Sequence, residues 1–147
     1  MIKLSIYLPY ITVSNTEVPL DDAILTDANT WYTISDAKLI CLHCNKFSNV
    51  NGQITYDGPG NFGVLFIGTA DIEVDKACRI TFQLFKNGVA IPGIHSVKDF
   101  FSPAKIGTLA KAHGMDIGVG DVIEVKAKSS VALTTISVTT MSLVFKG

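Results

Sequence analysis

Two stretches in the second half of the chain decide the fold: Ile80-Thr81-Phe82-Gln83-Leu84-Phe85-Lys86-Asn87-Gly88 and Gly120-Asp121-Val122-Ile123-Glu124-Val125-Lys126-Ala127. In both, apolar side chains alternate with polar ones, which is the period of a β-strand with one buried face. Asn87-Gly88 is the favoured pair for a type I′ hairpin, because both positions require a positive φ. Gly120-Asp121 predicts a turn that opens the next strand. These stretches predict antiparallel strands joined by tight turns.

The same patterns extend through most of the chain. They predict strands at residues 2–8, 31–34, 38–42, 54–56, 62–74, 89–91 and 134–145. Residues 62–74 are mostly apolar, which is typical of a strand buried on both faces. Residues 45–52 are predicted to form a loop, and Pro92-Gly93 is predicted to end the strand after the hairpin.

Three segments leave alternatives open. Residues 106–113 fit a strand or a helix, and Gly107 and Thr108 favour a strand. Residues 97–101 could form one helical turn. In the last strand, the buried parity changes between Val138 and Met141, which requires a bulge or a swap of the buried face.

Length and composition indicate the class of protein. The 147 residues predict one domain, with an N-terminal arm and first strand at 1–30 and the sandwich at 31–147. Within the arm, a short strand or turn is predicted at residues 23–25. A net charge of −1 without a basic stripe argues against nucleic-acid binding. The hydrophobic content of 48% without a membrane-spanning run argues for apolar subunit interfaces.

The N-terminus and the cysteines indicate where the protein is made. Apolar and polar residues alternate from the start and Pro9 follows early, so no secretory signal peptide is predicted. The chain has an odd number of cysteines, Cys41, Cys44 and Cys78. An odd number argues against a disulfide framework and predicts buried free thiols in a reducing cytosol. Cys41 and Cys44 have the spacing of a zinc knuckle, but a second pair is missing. We therefore expect no metal and no cofactor.

Catalytic constellations are weak. His95, Ser96 and His113 come without a nucleophile-elbow motif, so no enzyme activity is expected. Asp21, Asp22 and Asp27 lack the spacing of a calcium-binding loop and are interpreted as solvated turn carboxylates.

Four motifs carry a family resemblance. They are Gly60-Asn61-Phe62 before an apolar strand, the hairpin run 82–88, Leu109 followed by Gly120-Asp121-Val122-Ile123-Glu124-Val125, and the closing strand Met141-Ser142-Leu143-Val144-Phe145. In this order they resemble the trimeric jelly rolls of the C1q/TNF-like family, over residues 45–147, with a longer gap after Leu109 in this chain. The resemblance implies an all-β antiparallel jelly-roll sandwich and a homotrimer.

The pattern is similar to that of bacteriophage virion proteins. The resemblance implies a capsid decoration (cement) protein that binds the major capsid protein, is made in the bacterial host cytoplasm and resides on the virion surface. One alternative is a receptor-binding head-fibre or tail-fibre tip that recognises a host surface glycan. Another is a cellular C1q/TNF-like binding module.

The resemblance also suggests where contacts lie. The predicted capsid contacts are in the N-terminal arm: Ile2, Leu4, Tyr7, Tyr10 and Val13. The predicted trimer interface uses five apolar side chains from the second half: Phe100, Phe101, Met141, Leu143 and Phe145. Asp71, Glu73 and Asp75 alternate along one strand and are interpreted as an exposed polar face rather than a cation site near the three-fold axis.

Overall fold

The computed structural model describes residues 10–15, 19–34, 38–103 and 106–147. The described residues form strands and connecting turns, and they contain no helix that is long and apolar enough to span a membrane. The strands are β1 (Tyr10–Ser14), β2 (Ala23–Leu25), β3 (Tyr32–Thr33), β4 (Ile40–Asn45), β5 (Phe47–Val50), β6 (Gln53–Tyr56), β7 (Asn61–Val74), β8 (Cys78–Lys86), β9 (Val89–Phe100), β10 (Ile106–Gly118), β11 (Val122–Ser129) and β12 (Thr134–Lys146).

The strands form two antiparallel sheets that pack face to face. The first sheet has the order β10-β7-β12-β1-β4, with β2 also paired to β12. The second has the order β5-β6-β11-β8-β9, with β3 also paired to β11. The prediction of an all-β antiparallel sandwich is therefore confirmed.

The core between the sheets is built from the inward half of each alternating strand. Phe145 is fully buried, and its ring centroid lies 5.0 Å from that of Phe66 on the same sheet. The Phe47 ring of the opposite sheet lies 6.1 Å from Phe145, so aromatic contacts join the two layers.

Two Asn-Gly pairs make the tight hairpins. Asn87 and Gly88 have φ values of 53° and 80°, as predicted for the β8–β9 hairpin. Asn51 and Gly52 have φ values of 51° and 80° and join β5 to β6 in the same way. The prediction of a loop over 45–52 was wrong, because this second pair closes a hairpin rather than an irregular loop.

Strand β9 continues through Pro92-Gly93, where the prediction ended it. The register between β8 and β9 shifts between Gln83 and Phe85, so the extra β9 residues bulge out of the ladder. Gln83 Nε2 donates to the Ile91 carbonyl oxygen at 2.7 Å, so this backbone acceptor in the bulge has a hydrogen-bond partner. Residues 97–100 lie in β9 rather than in a helical turn, and the strand prediction for 106–113 is confirmed.

Part of the segment predicted as an N-terminal arm enters the first sheet. Strand β1 lies between β12 and β4 and pairs with both. Ile11 and Val13 are fully buried, which explains why this part of the arm is an integral strand. The short strand at Ala23–Leu25 is confirmed by its pairing with β12. The strand predicted at residues 2–8 lies outside the described residues.

A bulge at Thr139 explains the parity change in β12. The pairing of β12 with β7 skips Thr139, so Ile136 and Val138 before it and Met141 after it all point into the core. Asn15 Nδ2 donates to the Thr139 carbonyl oxygen at 2.8 Å, and the Met141 N–H donates to Asn15 Oδ1 at 3.1 Å. The bulge thus keeps one buried face along the strand, and the alternative of a swapped face is excluded.

Candidate interaction face

Strand β7 occupies an interior position in the first sheet and has two different faces. Val64, Phe66 and Ile72 are buried in the core. Leu65 and Ile67 point the other way, and these residues remain 44% and 42% exposed. The apolar content of residues 62–74 predicts a strand buried on both faces. In the single chain only one face is covered, so that prediction needs correction.

Neighbouring strands extend this exposed surface. Ile67 pairs with Ala112 of β10 and with Val144 of β12. In the next row, Leu65 pairs with Gly114 and Lys146. We call this surface the charge-poor face, and it consists of Tyr10, Thr12, Leu65, Ile67, Thr69, Ala110, Ala112, Gly114, Ser142 and Val144.

Small and uncharged residues make the charge-poor face flat. Ala110, Ala112 and Gly114 follow at alternate positions of β10 and leave no long side chain above the sheet. Around a Cβ added at Gly114 there is no heavy atom within 4 Å, so this position is open. Charged side chains lie towards the ends of the face, with Lys146 at one end and Asp71 at the other.

The outer face of the second sheet has a different character. Arg79 Nε donates to Asp99 Oδ1 at 2.7 Å, and Lys126 Nζ lies 3.5 Å from Glu124 Oε1. These ion pairs lie on adjacent strands β8, β9 and β11, and the Arg79–Asp99 pair is exposed to water. Subunit interfaces are depleted of such charges at their centres. The charge-poor face of the first sheet is therefore the better candidate for contact with another protein.

Asp71 is held by hydroxyl groups at the border of the charge-poor face. Thr108 Oγ1 donates to Asp71 Oδ1 at 2.6 Å, and Thr140 Oγ1 donates to Oδ2 at 2.8 Å. These two bonds, with the Thr108 bond the stronger influence, hold the pKa of Asp71 below its usual value of 3.8. The carboxylate thus links three strands, β10, β7 and β12.

The predicted trimer-interface residues lie mostly inside the chain. Phe100, Met141, Leu143 and Phe145 are buried between the two sheets. Their side chains pack within the subunit, because the inward parity of β12 continues through the bulge at Thr139. Phe101 is 89% exposed after the end of β9, so it is the member of this set that is free to reach a partner.

The predicted capsid contacts also divide into buried and exposed residues. Val13 is fully buried in the core and cannot reach a partner with its side chain. Tyr10 is 44% exposed and lies on the charge-poor face, paired with Lys146. Ile2, Leu4 and Tyr7 lie outside the described residues.

The cysteines differ from expectation. Cys41 and Cys44 form a disulfide, whereas free thiols were predicted. In a regular strand, residues 41 and 44 would point to opposite faces. The register between β1 and β4 skips Leu42, so Cys41 pairs with Val13 and Cys44 pairs with Ile11 on the same face. Cys78 is free and buried, and burial raises the pKa of its thiol. Within the described residues, no three His, Cys, Asp or Glu side chains are grouped to hold a metal ion.

The space between the sheets is small. A cavity of about 50 Å³ lies between Phe66, Ile94, Leu109 and Met141. Pockets that bind small molecules are typically about 300–1,000 Å³. His95 and Ser96 lie on β9 and His113 on β10, at the edges of the two sheets.

Apart from Tyr10, the residues of the charge-poor face were not among the contacts predicted from the sequence. The signal that could have found them was the apolar content of both faces of residues 62–74, combined with alanine and glycine at alternate positions of 110–114. A strand with two apolar faces needs a cover on each. The second sheet covers one face, and nothing in the described part of the chain covers the other.

Solved structures share this architecture. No protein-family model and no curated protein matches the chain. Murine APRIL superposes with a TM-score of 0.66 at 12% identity, over 96% of this chain and 100% of that one. The globular domain of zebrafish complement 1qA has a TM-score of 0.56 at 14% identity, over 95% and 96%. The fold is a C1q/TNF-like jelly roll.

A vertex protein is also among the similar structures. The PRD1 vertex protein P5 has a TM-score of 0.56 at 10% identity, over 94% of this chain and 96% of that one. At these identities the likeness concerns the fold alone. The C1q/TNF-like jelly roll is therefore established as the architecture, and the role of this chain must come from its own surface.

Proposed function

We propose that this protein is a structural virion protein of a bacteriophage, a homotrimer that decorates the capsid surface. The observation that carries the proposal is the charge-poor face, on which Leu65 and Ile67 are exposed in an interior strand of the first sheet. A second and third copy of the chain would cover it. Self-association is then the event that completes the burial of β7.

The face suits contact between copies on physical grounds. It spans strands β10, β7, β12 and β1, which at the usual strand spacing of about 4.8 Å makes a surface roughly 15 Å across. Flat, uncharged and partly aliphatic surfaces resemble the centres of obligate homo-oligomer interfaces. Removing Leu65 and Ile67 from water contributes about 25 cal/mol for each Å² of apolar area covered.

A trimer is proposed rather than a dimer because of the resemblance to C1q/TNF-like trimers. The four motifs that carry it map onto the start of β7, the β8 hairpin, β10 with the turn into β11 and β11 itself, and β12. In such an assembly Phe101, exposed after β9, is a second candidate for contact with a neighbouring copy.

Capsid decoration is proposed because binding alone can perform it. A symmetric trimer presents three copies of each contact, and repeated weak contacts give avidity without catalysis. The fold shared with the PRD1 vertex protein P5 supports a virion role. The major capsid protein is the proposed partner, and Ile2, Leu4 and Tyr7 remain the predicted contacts. The virion surface is the proposed location, after synthesis in the bacterial host cytoplasm.

Cryo-electron microscopy of the parent phage particle tests the decoration role. The proposal expects three-fold density of this jelly roll on the outer surface of the capsid shell. Density at the end of a head or tail fibre would instead support the receptor-binding alternative. A particle without this protein would contradict both and favour a cellular C1q/TNF-like binding module.

A further inference from the structure

A groove lined mainly by residues with polar side chains lies on the outer face of the second sheet, opposite the charge-poor face. It has a volume of about 380 Å³ and is lined by Asn29, Arg79, Thr81, Val97, Lys128 and Ser130. This volume is in the range of small-molecule pockets, about 300–1,000 Å³. The proposed capsid-decoration function does not use this groove.

Adjacent strands and two turns build the groove. Thr81 of β8 pairs with Val97 of β9 on one side and with Lys128 of β11 on the other, so the three form one row across the sheet. Two hydrogen bonds between Arg79 and Ser130 fix the end of the groove. The Arg79 N–H donates to Ser130 Oγ at 2.9 Å, and the Ser130 N–H donates to the Arg79 carbonyl oxygen at 3.0 Å.

Lys128 is the unbalanced charge of this surface. Arg79 is paired with Asp99, and Lys126 is paired with Glu124. Lys128 Nζ lies 4.7 Å from the centre of the Trp31 ring, and no carboxylate of the described residues forms an ion pair with it. The ring holds the ammonium group in place without neutralising it. A half-buried, positioned cation in a groove is suited to an anionic ligand.

The remaining lining groups narrow the ligand class. Thr81 and Ser130 carry hydroxyl groups, and Asn29 carries an amide that both donates and accepts. Val97 adds an aliphatic surface that is 48% exposed. A sugar ring presents hydroxyl groups at its rim and C–H groups on its faces, and it matches this mixture. A nucleic acid would require a stripe of unpaired cations rather than one.

We propose that the groove binds an acidic saccharide, with its carboxylate or sulfate on Lys128 and its ring against Val97 and the hydroxyl groups. Asn29, Thr81 and Ser130 would bind the sugar hydroxyls. Arg79 keeps Asp99 as its partner and contributes the wall of the groove. The site goes beyond capsid decoration, and it suits a particle that touches a glycan-coated surface.

Ligand-observed NMR titrations with three probes test this site: 3′-sialyllactose, lactose 6′-sulfate and neutral lactose. At least one acidic probe is expected to bind about tenfold more tightly than lactose, the effect of one charge-assisted contact. The acidic probe that binds better identifies carboxylate or sulfate as the anion. Equal binding of all three probes, or no binding of either acidic probe, overturns the proposal.

Two variants on the same strand face provide the matched comparison. Lys128→Gln is expected to weaken binding of the acidic probe about tenfold. Lys126→Gln removes a lysine that is already paired and also lies over an aromatic ring, here Phe85 at 4.8 Å, and should leave binding within about twofold. Equal losses in both variants would show a general effect of charge and overturn the site.

The saccharide proposal can fail separately from the proposed function. The groove and the charge-poor face lie on different sheets. Ile67→Lys, designed to separate the subunits, is expected to leave the affinity for the acidic probe unchanged. A loss of saccharide binding on separation of the subunits contradicts a groove contained within one chain.

Discussion

Asp71 is a single residue whose environment gives a pH signature. Its carboxylate accepts hydrogen bonds from Thr108 and Thr140, which hold its pKa below 3.8 in the folded protein. A depressed folded pKa stabilises the fold above the unfolded pKa, and this contribution is lost as the pH falls through the folded pKa. Asp71→Asn is therefore expected to destabilise the fold at pH 7. Its deficit relative to the wild type is expected to shrink progressively as the pH falls below about 4 towards the lower folded pKa.

Thermal unfolding between pH 3 and pH 7, at one fixed protein concentration, measures this dependence. The double variant Thr108→Val with Thr140→Val removes both donors and should show the same trend as Asp71→Asn. A deficit that stays constant across this range would contradict the assigned hydrogen bonds.

Asp121 is a residue in the Gly-Asp turn motif and joins two turns. The Gly118 N–H donates to Asp121 Oδ2 at 2.7 Å, and Asn87 Nδ2 donates to Oδ1 at 2.8 Å. Burial alone raises the pKa of Asp121, but these bonds and the charge of Lys86 hold it below its usual value.

Asp121→Ala is expected to lower the free energy of unfolding by about 2 kcal/mol, because it leaves charge-assisted donors without their acceptor. Urea unfolding measures the loss, and Asp57→Ala, at an exposed turn carboxylate, provides the control with an effect within about 0.5 kcal/mol. Equal effects of the two substitutions would show that the Asp121 contacts contribute nothing specific.

At the scale of elements, the bulge of β12 depends on the side chain of Asn15. This amide is buried and imitates a peptide group, since it accepts from the Met141 N–H and donates to the Thr139 carbonyl oxygen. Asn15→Ala leaves both backbone groups unpaired and is expected to cost about 2 kcal/mol or more in urea unfolding.

The exposed Asn61→Ala is the control for this substitution and should change stability by less than about 0.5 kcal/mol. If Asn15→Ala is as mild as Asn61→Ala, then the bulge is held by the strand pairing rather than by this side chain.

The elements also show what the sequence can predict. Alternation and the Asn87-Gly88 pair were sufficient for the hairpin of β8 and β9, because both signals are local. The continuation of β9 past Pro92 could not be predicted, since it depends on Gln83 reaching the Ile91 carbonyl oxygen across the bulge. The parity change in β12 indicated a bulge. The hydrogen bonds from Asn15 that stabilise it could not be predicted, because Asn15 lies more than 120 residues away in the chain.

At the scale of the whole molecule, the charge-poor face was the feature hardest to predict. The apolar composition of residues 62–74 indicated burial, and the residues of the face could be identified only once the second sheet was known to cover the other side. The position of the second sheet also shows that four residues predicted at the trimer interface lie in the core instead: Phe100, Met141, Leu143 and Phe145.

Ile67→Lys tests whether the charge-poor face holds the copies together. A lysine here would place three charges in one apolar interface, so the assembly is expected to dissociate into folded single chains. Val97→Lys is the matched control, because Val97 is similarly exposed and β-branched but lies on the second sheet. Circular dichroism would verify that both variants fold. Dissociation by Val97→Lys but not by Ile67→Lys would show that the second sheet forms the interface and would contradict the charge-poor face as the contact.

The molar mass of the unaltered protein tests the central claim most directly. Sedimentation equilibrium or light scattering after size exclusion, at tens of micromolar protein, is expected to give three times the 15.8 kDa mass of one chain. A mass of one chain under these conditions, with the β-sheet spectrum intact, would contradict self-association through the charge-poor face.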